Sequence, residues 1–190
     1  ELDHVDYSAI SETEILINLC GENIFAKRWT SARKQKLHSS RIDTSHYLFH
    51  VFQHSKSLKH YINASGIDCY PLWQSHAASE KEAYSDTYIG QLVKKWEEAA
   101  DLFQQISDVK VLKLRLAMVL AKDAEAFTSL VSLAHKKGLS NLGEGKQAMN
   151  WVHLQDVVSS IEHGINQGLN GAFNVCGTAI SNEEFNAKLN

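Results

Sequence analysis

Several residues in this chain have a type and spacing suited to chemistry. His46, His50 and His54 recur at i, i+4 and i+8, which on a helix forms one stripe and is the spacing by which two imidazoles share a zinc ion. That site needs a further oxygen or sulfur donor, and no Glu accompanies the pair as in H-E-x-x-H. A dimer interface or a solvated helix face explains the stripe equally well. Arg115 stands in an otherwise apolar run, where a cation must face a crevice or a partner carboxylate to be tolerated. It either orients an anionic ligand group or forms a structural ion pair. Gly21 and Gly66 each follow an apolar run. Without a Cβ they permit close backbone approach to a ligand, although either can equally just turn the chain. Arg33, Lys34 and Lys36 crowd the start of a helix against its macrodipole. A phosphate of a bound nucleotide, Glu22 or bulk water would compensate them. Lys95, Glu97 and Glu98 read as a solvated helix face.

The elements that position these residues follow from apolar periodicity. "ILINL", from Ile15, reads as a buried strand ending at Cys20-Gly21. Thr30 to Lys56 reads as a long helix, with Thr30 or Ser31 as N-cap and Leu48, Val51, Phe52 and Ser55 on one face. "HYINAS", His60 to Ser65, reads as a second buried strand. Two such strands joined by a helix form a βαβ unit with parallel pairing. Asp86 to Ile106 carries apolar residues at spacings of three and four and predicts another helix. It leads to a strand over Val109 to Leu120, a helix from about Ala124 to Lys137, an irregular Gly-containing link, a short helix bearing Val157, Val158, Ile161 and Ile165, and a last strand at "GAFNVCG". This alternation predicts an α/β doubly wound parallel sheet, in which ligands sit beyond the carboxyl ends of the strands. The ends at Gly21, Gly66 and Arg115 to Met118 should therefore line one crevice.

The bulk numbers narrow the partners. With 19 Lys and Arg against 22 Asp and Glu, the formal net charge is −3. This leaves no electrostatic footprint for nucleic acid or an anionic membrane and favours a small-molecule or protein partner. No apolar run approaches the roughly 20 residues of a membrane span, and the first ten residues lack a signal-peptide pattern, so a cytoplasmic location is expected. Cys20, Cys69 and Cys176 are odd in number and far apart, which predicts reduced, mostly buried thiols rather than a disulfide or metal framework. The sequence begins without Met and ends in what reads as the middle of an amphipathic helix, as a piece of a longer chain would.

Six blocks occur in an order that resembles the atypical extended short-chain dehydrogenase/reductase group, often called nucleoside-diphosphate-sugar epimerase-like or cell-division-inhibitor-like. They are "INLCGENI" with "RWT", Lys34, Ser40 and Arg41; "NASGIDCY"; "WEEAA"; "LKLRLAMVL"; "LGEGKQAMNWVHLQDVV"; and "GAFNVCGTAISNEEF". The resemblance implies a Rossmann-type core over residues 1–120, lacking its first βαβ elements. It also implies a mixed segment, 121–190, that supplies a small C-terminal substrate lobe and late strands. NADP or NAD is the implied cofactor, contacted by Asn18, Leu19, Cys20, Gly21, Ala64 and Arg115. The substrate implied is a nucleotide sugar or related polyol, met by Trp151 and His153. A homodimer through the helices Thr30 to Lys56 and Asp86 to Ile106 is implied as well.

Two departures limit what carries over. No G-x-x-G-x-x-G that would cradle a pyrophosphate occurs in the sequence. Nor is any Tyr followed by Lys at four residues, the pairing that lowers the pKa of the family's acid/base. Ser65 matches the family's strand-end Ser, suited to a substrate hydroxyl or to capping a turn. Tyr88 lies near the expected place of the acid/base, with Lys94 six residues on rather than four. An NAD(P)-dependent epimerase or oxidoreductase is therefore expected, with a catalytically weak NAD(P)-binding regulatory or scaffold protein as the alternative.

Overall fold

The computed structural model describes residues 7–71, 77–137, 141 and 143–189. The chain divides into two compact units, Glu1–Arg115 with His163–Phe173, and Leu116–Glu162 with Asn174–Asn190.

The first unit begins with a short helix, α1 (Tyr7–Glu12), which the periodicity did not reveal, and the strand β1 (Ile15–Asn18). The expected long helix is present in three pieces. Thr30 is its N-cap, its hydroxyl accepting from Arg33 N–H at 3.2 Å. α2 (Ser31–His38) then passes through a π-helical turn, Ser39–Asp43, into α3 (Thr44–Phe52). β2 (His60–Gly66) pairs with β1 in parallel, with Ile15 opposite His60 and Asn18 opposite Asn63. α4 (Tyr88–Asp101), capped by Thr87, ends in a 3-10 turn and leads to β3 (Lys110–Leu116). A Cβ on Gly90, in the first turn of α4, would fall 2.2 Å from Ser85 Oγ, so only glycine lets that turn pack against the preceding loop.

β1, β2, β3 and β7 (Gly171–Val175) are neighbours in that order in one sheet. Against it packs a core of Phe52, Leu58, Tyr61, Ala100, Phe103, Ile106, Val109 and Val111. The Tyr61 and Phe103 rings stack with centroids 3.7 Å apart, joining β2 to the end of α4 through aromatic area that dominates such cores. β1 is the edge strand among the described residues. Leu16 packs on the core, whereas Ile15 and Ile17 point the other way and are exposed, which corrects the reading of this strand as buried.

In the second unit the expected strand Val109 to Leu120 proves to be two. After Ala117, β4 (Met118–Leu120) pairs in parallel with β6 (Trp151–His153) rather than continuing β3. The link read as irregular also holds β5 (Ala148–Met149), antiparallel to β8 (Ile180–Ser181). Strands of two and three residues carry too few side chains for a period of two to stand out. Helices α5 (Glu125–Lys137), α6 (Leu154–Asn166) and α7 (Asn182–Leu189) complete the order. Among the described residues no helix is long and apolar enough to cross a membrane. Cys69 is buried but Cys20 and Cys176 are exposed, which corrects the expectation of mostly buried thiols. Cys20 follows the strand end and Cys176 follows β7, where chain direction changes and side chains leave the core.

Candidate functional site

At the carboxyl end of β1 the side chain of Asn18 is wholly inside. Its amide nitrogen lies 2.9 Å from Asn63 Oδ1, 3.1 Å from Tyr61 Oη and 3.4 Å from Ser45 Oγ. Its Oδ1 accepts from Cys20 N–H at 3.1 Å. The buried Asn thus fixes the turn that follows rather than facing a ligand, an Asx-type use of a short amide. Beyond it Leu19 is 62% exposed, Cys20 is exposed, and Gly21 presents bare backbone. A Cβ on Gly21 would sit 3.1 Å from Arg41 Cζ and Nη2. The close approach this glycine serves is therefore to a side chain of the same chain. Gly66 has no such constraint, since a Cβ there would meet Val93 at an ordinary 3.7 Å.

At the end of β2, Ala64 and Ser65 are buried. Ser65 donates to Glu97 Oε1 at 2.6 Å. The same carboxylate receives Arg115 Nε at 2.8 Å on Oε1, Arg115 Nη2 at 3.0 Å on Oε2, and Tyr84 Oη at 2.8 Å on Oε2. Four donors fill the roughly four lone-pair sites of an ionised carboxylate. Burial pushes the Glu97 carboxyl upward, but the bonds from Arg115, Ser65 and Tyr84 and the Arg115 charge outweigh it and hold the pKa below its ordinary value. Glu97 is therefore ionised, and the proton of the Ser65 bond must belong to the serine. For Tyr84, burial and the adjacent carboxylate push the hydroxyl's pKa well up.

Arg115 is equally committed. Besides Glu97 it donates from Nη2 to Tyr84 Oη at 2.9 Å, and from Nη1 to Tyr70 Oη at 2.7 Å and the Glu80 carbonyl at 3.2 Å. All five guanidinium N–H groups have acceptors inside the protein. Of the two readings of this cation, the geometry is that of a structural ion pair, and no donor is left over for a cofactor. Glu97 itself is only 1% exposed, which corrects its reading as part of a solvated helix face. The signal for it was present: Glu97 lies four residues after Val93 and three before Ala100, on the buried stripe of α4. A lone cation in an apolar strand calls for a carboxylate on such a stripe.

Tyr88 opens α4. Its hydroxyl donates to the Lys34 carbonyl at 3.1 Å, its ring centroid lies 5.6 Å from that of Trp29, and the Lys34 ammonium lies 4.7 Å from it. Burial raises its pKa, only partly offset by Arg41. Lys94 is turned away toward Glu98 at 3.9 Å. Of the helix-start cations, Arg33 pairs with Glu22 at 2.6 Å, so Glu22 is one of the compensating groups.

In the second unit, Trp151 has a buried Nε1 without a partner among the described residues, and its carbonyl accepts from Gly177 N–H at 2.6 Å. His153 Nδ1 accepts from Gln155 N–H at 3.1 Å, capping the start of α6. The three-histidine stripe has His46 and His50 exposed on α3, and no cluster able to hold a metal occurs among the described residues.

No family model matches the chain. Curated relatives do match. The chain is 31% identical over 187 residues to an epimerase family protein of Mycobacterium leprae, covering 97% of this chain and 60% of that protein. It is also 31% identical over 179 residues to an epimerase family protein of Staphylococcus saprophyticus, covering 92% and 59% respectively. It thus spans about 60% of the length of these relatives. Among solved structures, the human epimerase family protein solved with NADPH superposes with a TM-score of 0.83 at 23% identity, over 96% of this chain and 66% of that one. The UDP-glucuronic acid 4-epimerase of Bacillus cereus, solved with UDP-glucuronic acid and NAD, superposes with a TM-score of 0.80 at 15% identity, over 99% and 62%. The chain thus has the Rossmann-type parallel α/β fold of these solved epimerases, and it is similar in sequence to the epimerase family proteins over about 60% of their length.

Proposed function

We propose that the protein binds NAD or NADP at the carboxyl ends of β1 and β2 and acts as an epimerase-type oxidoreductase on a nucleotide sugar or related polyol. The observation that carries this reading is the turn Leu19 to Gly21, left bare at the end of a parallel strand beside the fixed Ala64 and Ser65, where ligands of doubly wound sheets bind. These residues fit a dinucleotide: the exposed Leu19 offers apolar surface, and Gly21 adds no Cβ. Asn18 acts by holding the turn. The NADPH and NAD of the two structural relatives support the cofactor class.

When bound, the cofactor supplies a nicotinamide that accepts and returns hydride. Ser65, its own proton committed to the hydrogen bond with Glu97, accepts a hydrogen bond from the substrate hydroxyl and so orients an alcohol rather than a carbonyl. The carbinol proton passes to a water or, once the Tyr88 hydroxyl has lost its own proton to solvent, to the resulting phenolate. α2 to α3 with α4 form a homodimer face, which light scattering on the full-length protein would check.

One observation favours a second reading, a catalytically weak NAD(P)-binding regulatory or scaffold protein. The Tyr88 hydroxyl donates to a backbone carbonyl and its pKa is raised, the reverse of what a general base near neutral pH requires. Calorimetric titration of the full-length protein with NADPH and NADH tests both. A Kd below about 10 μM, near −7 kcal/mol, for either establishes the cofactor site, and turnover of a nucleotide sugar then separates enzyme from binding module. No binding to either nucleotide would overturn both readings.

A further inference from the structure

Among the described residues three arginines lie buried in the first unit, Arg33, Arg41 and Arg115, and they differ in what they touch. Arg115 has every N–H engaged and a carboxylate beside it. Arg41 is 7% exposed, yet its partners are all neutral: Nη1 lies 3.3 Å from both the Leu37 carbonyl and Ser40 Oγ, and Nη2 lies 3.0 Å from the Glu22 carbonyl. No carboxylate pairs with it among the described residues, because that of Glu22 turns to Arg33 instead. Of its five N–H donors, Nε–H and one on Nη2 have no acceptor among the described residues. Burial pulls the Arg41 pKa down, Tyr88 and Glu22 push it back, and Arg33 adds to the lowering. A desolvated cation without an anion is costly unless something supplies the charge.

The surroundings point the same way. Arg41 sits on the π-turn Ser39–Asp43, an insertion that re-aims side chains and is often found at functional sites. Gly21, at the end of β1, lies over the face of the guanidinium: a Cβ would be as near Cζ, 3.1 Å, as Nη2, and farther from Nε, 3.5 Å. The Trp96 ring centroid lies 5.0 Å from Arg41 Cζ. Trp96 Nε1 and Arg33 Nε are both buried donors without an acceptor among the described residues, and both residues are more than nine-tenths buried. A cation without an anion among the described residues, under an indole and near an arginine that each carry a buried donor without an acceptor, is the inverse of what a saturated structural network shows.

We propose that Arg41, with Arg33 and Trp96 beside it and Gly21 against its face, is the binding site for an oxyanion, a phosphate or carboxylate group of a ligand held at the carboxyl end of β1. The group comes either from the dinucleotide or from an acidic substrate, and both offer the same planar or tetrahedral oxygens to a guanidinium fork. The inference rests on the donor inventory and stands apart from the reading of the protein as an NAD(P) enzyme.

The test titrates the full-length protein with inorganic phosphate at constant ionic strength, read by thermal melting, and separately with NADPH by calorimetry. Phosphate is expected to raise the wild-type melting temperature saturably. Arg41→Met is expected to abolish that shift. Arg41→Lys, which keeps the charge but loses the fork, is expected to weaken phosphate binding about tenfold, and it carries the test should Arg41→Met fail to fold. If NADPH affinity falls together with phosphate affinity, the oxyanion belongs to the cofactor. If NADPH affinity is unchanged while phosphate binding is lost, the oxyanion belongs to the substrate. Failure of the wild type to bind NADPH would sink the cofactor reading and leave the phosphate result to decide this one. Absence of any phosphate shift in the wild type, or equal shifts in all the variants that fold, overturns the proposal.

Discussion

Ser65 Oγ donates to Glu97 Oε1 across 2.6 Å, so the hydroxyl at the end of β2 faces any ligand with lone pairs only. Ser65→Ala removes one bond to a buried, ionised carboxylate whose other three donors remain. It should lower stability by about 1.5–3 kcal/mol, measured by denaturant unfolding. On the proposed reading, in which this hydroxyl meets substrate rather than cofactor, kcat/KM for an alcohol substrate should drop about tenfold or more, while the NADPH Kd measured by calorimetry stays within about twofold.

The Arg115 and Glu97 pair is the main polar anchor between α4 and β3. Arg115→Met leaves an ionised carboxylate buried without its counter-charge, at an expected cost of about 3–5 kcal/mol. Converting Glu97 to Met in the same chain should recover part of that loss, since the stranded charge goes with it. A double-mutant cycle by urea unfolding checks this, and a double variant no more stable than Arg115→Met alone would contradict it.

The same pair shapes the acid limb of stability. The folded-state pKa of Glu97 lies below its ordinary value of 4.5, so its contribution is complete above about pH 4.5 and is lost as pH falls through the folded value. Glu97→Gln cannot titrate. Between about pH 5 and pH 3 the wild type should lose more melting temperature than Glu97→Gln, which starts lower at neutral pH. Parallel curves for the two proteins would mean that Glu97 has the same pKa folded and unfolded.

Much of the fold was legible in the sequence. The strand "ILINL", the capped helix after Thr30 and the periodic α4 are each dictated by the spacing of apolar residues. The site was less so. Glu97 stands among Lys94, Lys95 and Glu98 and was masked by its neighbours' polarity, although its position on the Val93 and Ala100 stripe would have paired it with Arg115. Arg41 was quoted as part of a resemblance, but no periodicity signals a π-turn, because one extra residue in a helix shifts the pattern without leaving a Pro or Gly behind. The short strands β5, β6 and β8 depend on partners distant in sequence, so their existence is a tertiary property.

Tyr88→Phe distinguishes a reacting hydroxyl from a structural one. The bond to the Lys34 carbonyl predicts a stability loss of about 0.5–1.5 kcal/mol and a fall in kcat of less than about tenfold. Loss of a true general acid or base would cost about 10²- to 10⁴-fold. Steady-state kinetics with a turned-over substrate, beside a melting curve, separates the two.

The outward face of β1 has a consequence for how the chain behaves in solution. Ile15 and Ile17 are 40% and 43% exposed on an edge strand, and Leu19 beyond it more so, while a formal charge of −3 offers little mutual repulsion. An apolar edge of this kind is adhesive toward other strands. Colloidal stability of the 190 residues is therefore a reporter on that face: anything that binds over β1 will show up as solubility before it shows up as activity.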